Sequence, residues 1–312
     1  MNGQPIIYFA PFQSITTHTF RRVYSSHFMG VDKYYTPFFA HIDHETRLSD
    51  RKQRELQHLS FGKPAIVPQI LSKDPNEILR FARICESLGF KEINWNMGCP
   101  HAQVADKKRG SGLLPYPDVV HEILDEVMPS MPLSFSIKCR LGYEKPEEIM
   151  KLIPVLNDYP IFELTVHGRI GRQLYSGKSD HFAMANIIPL LHIPFVHNGD
   201  ICTHEDFKHT ALLLPTVTTW MIGRGLLYNP FLAEEIKGIR NETNRMKRLK
   251  NFLDDLYFGY RNDLNDRLTL LNLLKEYWDY LEHLFADPQQ VKRTIKKARS
   301  FEEYEDAVNS LF

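Results

Sequence analysis

The sequence carries no CxxC pair: its four cysteines, Cys85, Cys99, Cys139 and Cys202, are scattered. Such spacing offers neither the paired ligands of a zinc site nor a disulfide framework, and it fits a reducing compartment. No metal site is expected. No segment approaches eighteen consecutive apolar residues, and Met1-Asn2-Gly3-Gln4-Pro5 has no basic region leading into an apolar run. Neither a membrane span nor a signal peptide is therefore expected, and the expected location is cytoplasmic. Net charge is missing as well. The 38 basic and 38 acidic residues cancel, so any surface for nucleic acid must be local rather than global. Internal repeats and low-complexity tracts are also lacking, and the chain is expected to act as a monomer.

What the chain does contain is length and a repeating rhythm. Its 312 residues, 43% of them hydrophobic, can bury one large domain and a smaller one. Short apolar runs at Ile6–Ala10, Val31–Thr36, Ala65–Ile70 and Glu92–Asn96 read as strands, as do Leu133–Arg140, Ile161–His167, Phe195–Asn198 and Thr218–Ile222. Helices are expected from Thr16 or Thr17 to Phe28, after the Asp74-Pro75 start, and over Pro117–Met128, Pro146–Leu156, Phe182–Leu191 and Thr203–Leu213. The segment from Arg47 to Leu56 reads as helical only in part. Strands that nearly all lead into a helix predict an α/β fold, a (β/α)8 TIM barrel. An open doubly wound sheet would place a glycine-rich fingerprint after the first strand, where Pro11-Phe12-Gln13 stands instead. Beyond Ile236 glycine nearly disappears, and helices are expected over Asn241–Tyr260, Arg267–Phe285 and Pro288–Leu311. The predicted division is a catalytic barrel over residues 1–237 and a small C-terminal all-helical domain over 238–312. Arg245, Lys247, Arg248, Lys250, Lys292, Arg293, Lys296, Lys297 and Arg299 give that domain a basic character, which reads either as a solvated face or as RNA contact.

In a barrel of this kind the reactive groups gather at the C-terminal ends of the strands. Those ends carry Pro11-Phe12-Gln13, Gln69, Asn96 with Cys99, Lys138 with Arg140, His167 with Arg169, Asn198-Gly199-Asp200 and Gly223-Arg224-Gly225. A purely structural barrel needs no such convergence of polar groups at one mouth. Cys99 falls on a loop where Gly98 and Pro100 break the fourth strand. A thiol of ordinary pKa, about 8.5, is mostly protonated at neutral pH, so Cys99 can be a proton donor as readily as a nucleophile. Gly110 and Gly112 behind it suit a loop that approaches a ligand closely. The glycines after strands seven and eight, with Arg224, form an expected anion site of backbone N–H groups and one fixed charge. Lys138 can stabilise negative charge at the N1–O2 edge of a reduced flavin, and Gln69 can pair with an amide-like ring edge. A ring with a phosphate tail fits this set, and FMN is the simplest candidate.

The run Asn96-x-Gly98-Cys99-Pro100, followed by Gly110-x-Gly112-x-Leu114, resembles the signature of the tRNA-dihydrouridine synthases, FMN enzymes that reduce a uracil ring within folded RNA. Ala10-Pro11, Thr16 with Phe20-Arg21, Gln69, Lys138, His167-Gly168-Arg169 and Gln173-x-Tyr175-x-Gly177 follow in the family's order. Asn198-Gly199-Asp200-Ile201 and Gly223-Arg224-Gly225 with Asn229-Pro230 complete it. The resemblance implies FMN held by Pro11, Phe12, Gln13, Gln69, Lys138, His167, Asn198, Gly199, Asp200, Gly223 and Arg224, with Cys99 as the catalytic acid. Asn96, Lys138, His167 and Arg169 match positions that surround the target uracil. NADPH as reductant and tRNA as partner are implied in the same way. Which uridine is reduced, whether rRNA replaces tRNA and whether NADH replaces NADPH stay open; the alternative is an FMN barrel that reduces a small molecule. The chain departs from the family at Phe12, where Met is usual, and at Ser179 and His181, where Ala and Trp are usual.

Overall fold

Side chains along a strand point alternately to its two faces, and in a closed barrel one face is the interior. The protein was analysed as a computed structural model, which describes residues 3–42, 48–60, 62–240, 244–263 and 267–312. Among the described residues eight strands occur: β1 Ile6–Phe9, β2 Lys33–Phe39, β3 Ala65–Ile70, β4 Glu92–Met97, β5 Ser134–Gly142, β6 Leu164–Ile170, β7 Phe195–Asn198 and β8 Thr219–Ile222. Every neighbouring pair is parallel, and β8 closes onto β1. This is the TIM barrel that the strand rhythm predicts. Around it run α1 His18–His27, α2 Asp50–Glu55, α3 Pro75–Ser87, α4 Ala102–Ala105, α5 Pro117–Val127, α6 Glu148–Asn157, α7 His181–Ile187, α8 His204–Leu213, α9 Arg224–Tyr228 and α10 Leu232–Lys237. Beyond them lie α11 Arg245–Asp263, α12 Arg267–Leu281, α13 Pro288–Lys297 and α14 Phe301–Asn309.

Local chemistry explains most of the boundaries. Thr17 accepts the Phe20 N–H at the start of α1, and Asp74 caps α3 just ahead of Pro75. Three expectations needed correction. The helix expected over Pro288–Leu311 is two helices, because the Ser300 hydroxyl accepts the Glu303 N–H while the Glu303 carboxylate accepts the Arg299 N–H at 2.6 Å. That N-cap starts a new helix. The stretch expected to be helical to Leu191 leaves the α-helix at Ile187, two residues ahead of Pro189. Strand β2 runs past Thr36 to Phe39, with a register shift between Tyr35 and Phe38 at Pro37. Arg47 and Asn241, where two other expected segments begin, lie outside the described residues.

The outward residues of β4 and β5 (Ile93, Trp95, Met97, Phe135, Ile137, Cys139) are buried under the helices. Each such side chain contributes roughly 1.5–3 kcal/mol. The interior is mixed. Tyr8, Tyr35, Val67, Val196 and Met221 form an apolar cluster, whereas the inward positions of β3 to β5 include buried Gln69, Asn94, Asn96 and Ser136. The expected domain division falls at Gly238, whose positive φ of 65° ends α10. Past it, α11 lies along α1: Phe252 meets Phe28 at 5.0 Å and Phe20 at 6.1 Å between ring centroids. Tyr277 of α12 stacks on Phe20 at 5.5 Å, and its hydroxyl donates to the Ile15 carbonyl at 2.7 Å. Barrel and helices thus share one continuous core. Arg248, counted in the sequence among the basic residues of the helical domain, is buried in that junction and paired with Glu234 at 2.5 Å. Among the described residues no helix is long and apolar enough to cross a membrane.

Candidate active site

The parity that fills the interior also builds the mouth. Gln69, Asn96, Lys138, His167 and Asn198 occupy inward positions toward the C-terminal ends of β3 to β7; Asn96 lies level with Lys138, and His167 with Asn198. They line a cavity of about 220 Å³ together with Pro11, Phe12, Gln13, Cys99, Gly199, Asp200, Gly223 and Arg224. Arg169 is the one site residue named from the sequence that does not line it. It is 2% exposed, and its guanidinium makes a two-point pair with Asp200 at 2.7 and 2.9 Å. It also donates to the carbonyls of Ser176 and Gly177. Arg169 is therefore a brace for Asp200 and for the loop after β6.

The Cys99 loop is held from several sides. The Asn96 side-chain oxygen accepts the N–H groups of Gly98 at 3.0 Å and Cys99 at 2.9 Å. Ser111 donates to the Cys99 carbonyl through its hydroxyl at 3.0 Å. Gly110 has a φ of 55°, and a Cβ there would sit 2.6 Å from the Cys99 carbonyl oxygen, so the close approach requires glycine. Arg140 donates to the Gly98 carbonyl at 2.9 Å and to the carbonyls of Ile170 and Leu174. Cys99 itself is 8% exposed. Burial pushes its thiol above the ordinary value, against weaker downward pulls from the His101 N–H, Arg140 and Lys138. It keeps its proton at neutral pH, which favours a proton donor over a thiolate nucleophile.

Cations dominate the remaining walls. Burial, aided by Arg140, brings Lys138 down to about 8, so it is still largely protonated at neutral pH. Burial and the surrounding cations Arg140 and Lys138 hold His167 well below the usual imidazole range, leaving it neutral. Burial works to raise the Asp200 carboxyl, but the Arg169 guanidinium and the Ser179 N–H outweigh it and keep Asp200 ionised. Sequence reasoning assigned no binding role to Tyr175 or Arg140. Tyr175 is 49% exposed, and its ring is flanked by Arg140 at 5.6 Å and Arg224 at 5.2 Å. Arg140 shares the inward parity of Ser136 and Lys138, a signal that could have marked it.

The family model described as Dihydrouridine synthase (Dus) matches residues 8–311. The chain belongs to the dihydrouridine synthase family. It is 32% identical over 234 residues to tRNA-dihydrouridine synthase B of Pasteurella multocida (strain Pm70), an alignment covering 75% of this chain and 69% of that protein. The protein of the same name from Escherichia coli (strain K12) is 35% identical over 195 residues, covering 61% of this chain and 59% of that one. The chain thus spans under two thirds of the Escherichia coli relative. Among solved structures, histamine dehydrogenase from Rhizobium sp. 4-9 shares the fold, with a TM-score of 0.56 at 9% identity over 79% of this chain and 46% of that one.

Dihydrouridine synthases are a flavin-dependent family, and the donor set of this mouth fits an anionic ring cofactor. Among the described residues that line the cavity, Asp200 is the one carboxylate, and Arg169 already neutralises it. Lys138 and Arg140 have no carboxylate partner among the described residues and Arg224 only shares Asp200, at 3.4 Å, so a surplus of positive charge is left to face an anion. The turns after β7 and β8 are stripped of side-chain bulk where they approach the cavity. Gly199 has a φ of 130° and lies so close to Ser179 that a Cβ would collide with its hydroxyl. A Cβ on Gly223 would come within 2.9 Å of the Phe12 ring. Two of the departures from the family pattern, Phe12 and Ser179, therefore pack directly on the glycines of these turns. Among the described residues no cluster of His, Cys, Asp and Glu could hold a metal.

Proposed function

We propose that this chain is a tRNA-dihydrouridine synthase: it reduces the C5–C6 double bond of a uridine in tRNA, with FMN in the cavity and NADPH as the reductant. One observation carries the reading: a buried, protonated thiol opens on the same cavity as Lys138, Arg140 and Arg224. Arg224 and the turns at Gly199 and Gly223 would hold the phosphate. Gln69 and Lys138 would meet the ring, with Pro11, Phe12, Gln13, His167, Asn198 and Asp200 around it. The reduced flavin, when bound, supplies the hydride that goes to uridine C6. Cys99 supplies the proton at C5: its S–H bond breaks as the C–H bond forms, and Lys138 and Arg140 stabilise the thiolate until solvent returns the proton. A positioned general acid is worth about 10²–10⁴-fold in rate. Asn96 and Tyr175 would contact the uracil ring, whereas Arg169 acts through Asp200.

A uridine inside folded RNA reaches this mouth only after leaving its stack, at a cost of a few kcal/mol. Phosphate contacts to the helical domain would offset that. Not every basic residue there is available. Arg245 pairs with Glu235 and Lys250 with Asp254, while Lys292 and Lys296 share Asp279. Arg293 and Lys297, four residues apart on α13, are exposed and have no carboxylate partner among the described residues. They are the better candidates for RNA contact. The proposal is tested with Cys99→Ala: FMN absorbance should persist while dihydrouridine formation in tRNA falls at least about hundredfold. Full activity in that variant would remove Cys99 from the chemistry. Assaying tRNA, rRNA and free uridine side by side would expose the rRNA or small-molecule alternative.

A further inference from the structure

Beneath the cavity, polar side chains from β3, β4 and β5 form one continuous hydrogen-bonded line down the barrel interior. Asn96 donates to the Gln69 side-chain oxygen at 2.7 Å, and Gln69 donates to the Asn94 side-chain oxygen at 2.8 Å. Asn94 donates to the Ser136 hydroxyl at 2.9 Å, and that hydroxyl donates to the Glu92 carboxylate at 2.6 Å. Gln69, Asn94 and Ser136 are buried, so an amide turned the wrong way there would leave donors facing donors.

The direction of the whole line follows from one fixed end. The backbone N–H groups of Gly98 and Cys99 can only donate, so the Asn96 group that meets them must be its oxygen. Its NH₂ then faces Gln69 and demands the Gln69 oxygen. The Gln69 NH₂ is thereby committed to the Asn94 oxygen, and the Asn94 NH₂ to an acceptor on Ser136. Glu92 takes the last proton with one oxygen, while its other oxygen accepts from Lys33 at 2.8 Å. Every proton along the line points away from Cys99, and no amide in it can reverse alone; the Ser136 hydroxyl has the Ile93 carbonyl at 3.3 Å as a second acceptor and accepts from Asn94 either way.

We propose that Asn94 and Ser136, which do not line the cavity, are positioning residues that lock the amide orientations of Gln69 and Asn96 and hence the geometry of the Cys99 loop. Gln69 and Asn96 both face the cavity. Asn94 therefore holds from below the Gln69 orientation that Asn96 imposes from above, by accepting the Gln69 NH₂, and Ser136 keeps Asn94 from turning over. The part concerning the cofactor rests on the reading of the site as an FMN site; the part concerning the loop does not.

The test uses the full chain in three variants, with FMN affinity read by fluorescence quenching, Cys99 alkylation by iodoacetamide read peptide by peptide, and Tm. Asn94→Leu removes the acceptor for Gln69 and should weaken FMN binding about tenfold while changing the Cys99 alkylation rate several-fold. Asn94→Asp keeps that acceptor while setting a second carboxylate beside Glu92. It should lower Tm, as the leucine variant does, yet restore most of the FMN affinity. Ser136→Ala, a small change expected to fold, should shift affinity and alkylation the same way by about two- to fivefold. Equal loss of affinity in the Asp and Leu variants would reduce Asn94 to a packing role and overturn the proposal. So would wild-type affinity and alkylation in a folded Ser136→Ala protein, even if Asn94→Leu fails to fold. Failure of the wild-type chain to bind FMN would instead sink the cofactor reading, and the alkylation arm would still judge the loop.

Discussion

The two ends of the barrel handle charge in opposite ways. At the closed end Lys33 bridges Glu92 at 2.8 Å and Glu163 at 2.9 Å, and the Tyr8 hydroxyl donates to Glu163 at 2.7 Å. Each of these three charges has a partner within the fold. At the open end Lys138, Arg140 and Arg224 share a cavity with one carboxylate among the described residues, Asp200, which is matched to Arg169 and shared with Arg224, so positive charge is in excess. Satisfied charges hold a structure together, whereas a surplus of one sign with room beside it points to a ligand of the other sign. The same barrel thus shows which ionisable residues belong to folding and which to function.

Removing one lysine from each end should break the comparison most visibly. Lys33→Met strands two carboxylates in a nearly closed site and should lower stability by about 3–5 kcal/mol, read by denaturant unfolding. Lys138→Met removes a cation that burial disfavours, so stability should hold or rise while FMN affinity drops about tenfold or more. If Lys33→Met proved harmless and Lys138→Met unfolded the protein, the assignment of the two ends would be reversed.

How much of this contrast could be read beforehand depends on parity. The strand rhythm located all eight strands, and the strand-end residues Gln69, Asn96, Lys138, His167 and Asn198 come together because each shares the inward parity of its strand. Arg169 shares that parity with His167, but its length lets it reach Asp200 behind the wall, and nothing in the spacing shows that reach. Tyr175 sits on a loop, where no period applies, and its position between two guanidiniums emerges only from the fold. The charge run on the last helices was the least legible part. Its composition could not separate Arg248, buried against Glu234, from the exposed Arg293. The break at Ser300 was missed, although Ser300-Phe301-Glu302-Glu303 carries the capping signature.

A titration should sharpen the contrast by a smaller margin. Burial has lowered Lys138 from 10.5 to about 8. FMN affinity in the wild-type chain should therefore fall as pH rises through about 8 and the ammonium is lost, and Lys138→Gln should lack that limb. Stability of the cofactor-free protein responds with the opposite sign. Between about 8 and 10.5 the unfolded chain binds the proton that the folded Lys138 has lost, so this group's contribution rises with pH. Identical pH profiles for wild type and Lys138→Gln would place the titrating group elsewhere.

The distinction between matched and unmatched charge should hold on the C-terminal helices too, where the effects are smallest because the groups are exposed. On α13, Lys292 and Lys296 face Asp279 at 2.9 and 2.8 Å, while Arg293 and Lys297 point away without a carboxylate. Neutralising Arg293 and Lys297 to Gln should raise the KM for tRNA several-fold, leave kcat and NADPH oxidation unchanged, and reduce the salt dependence of binding by about 0.7–0.9 per lost phosphate contact. Neutralising Lys292 and Lys296 should cost less RNA affinity, since Asp279 and Glu282 already engage their ammonium groups and compete with phosphate for them. A screened, exposed pair contributes about 0–1 kcal/mol, so stability should barely separate the two double variants. If both raise KM equally, proximity to the RNA and not local pairing governs the surface. The rule drawn from the two ends of the barrel would then apply only where water is excluded.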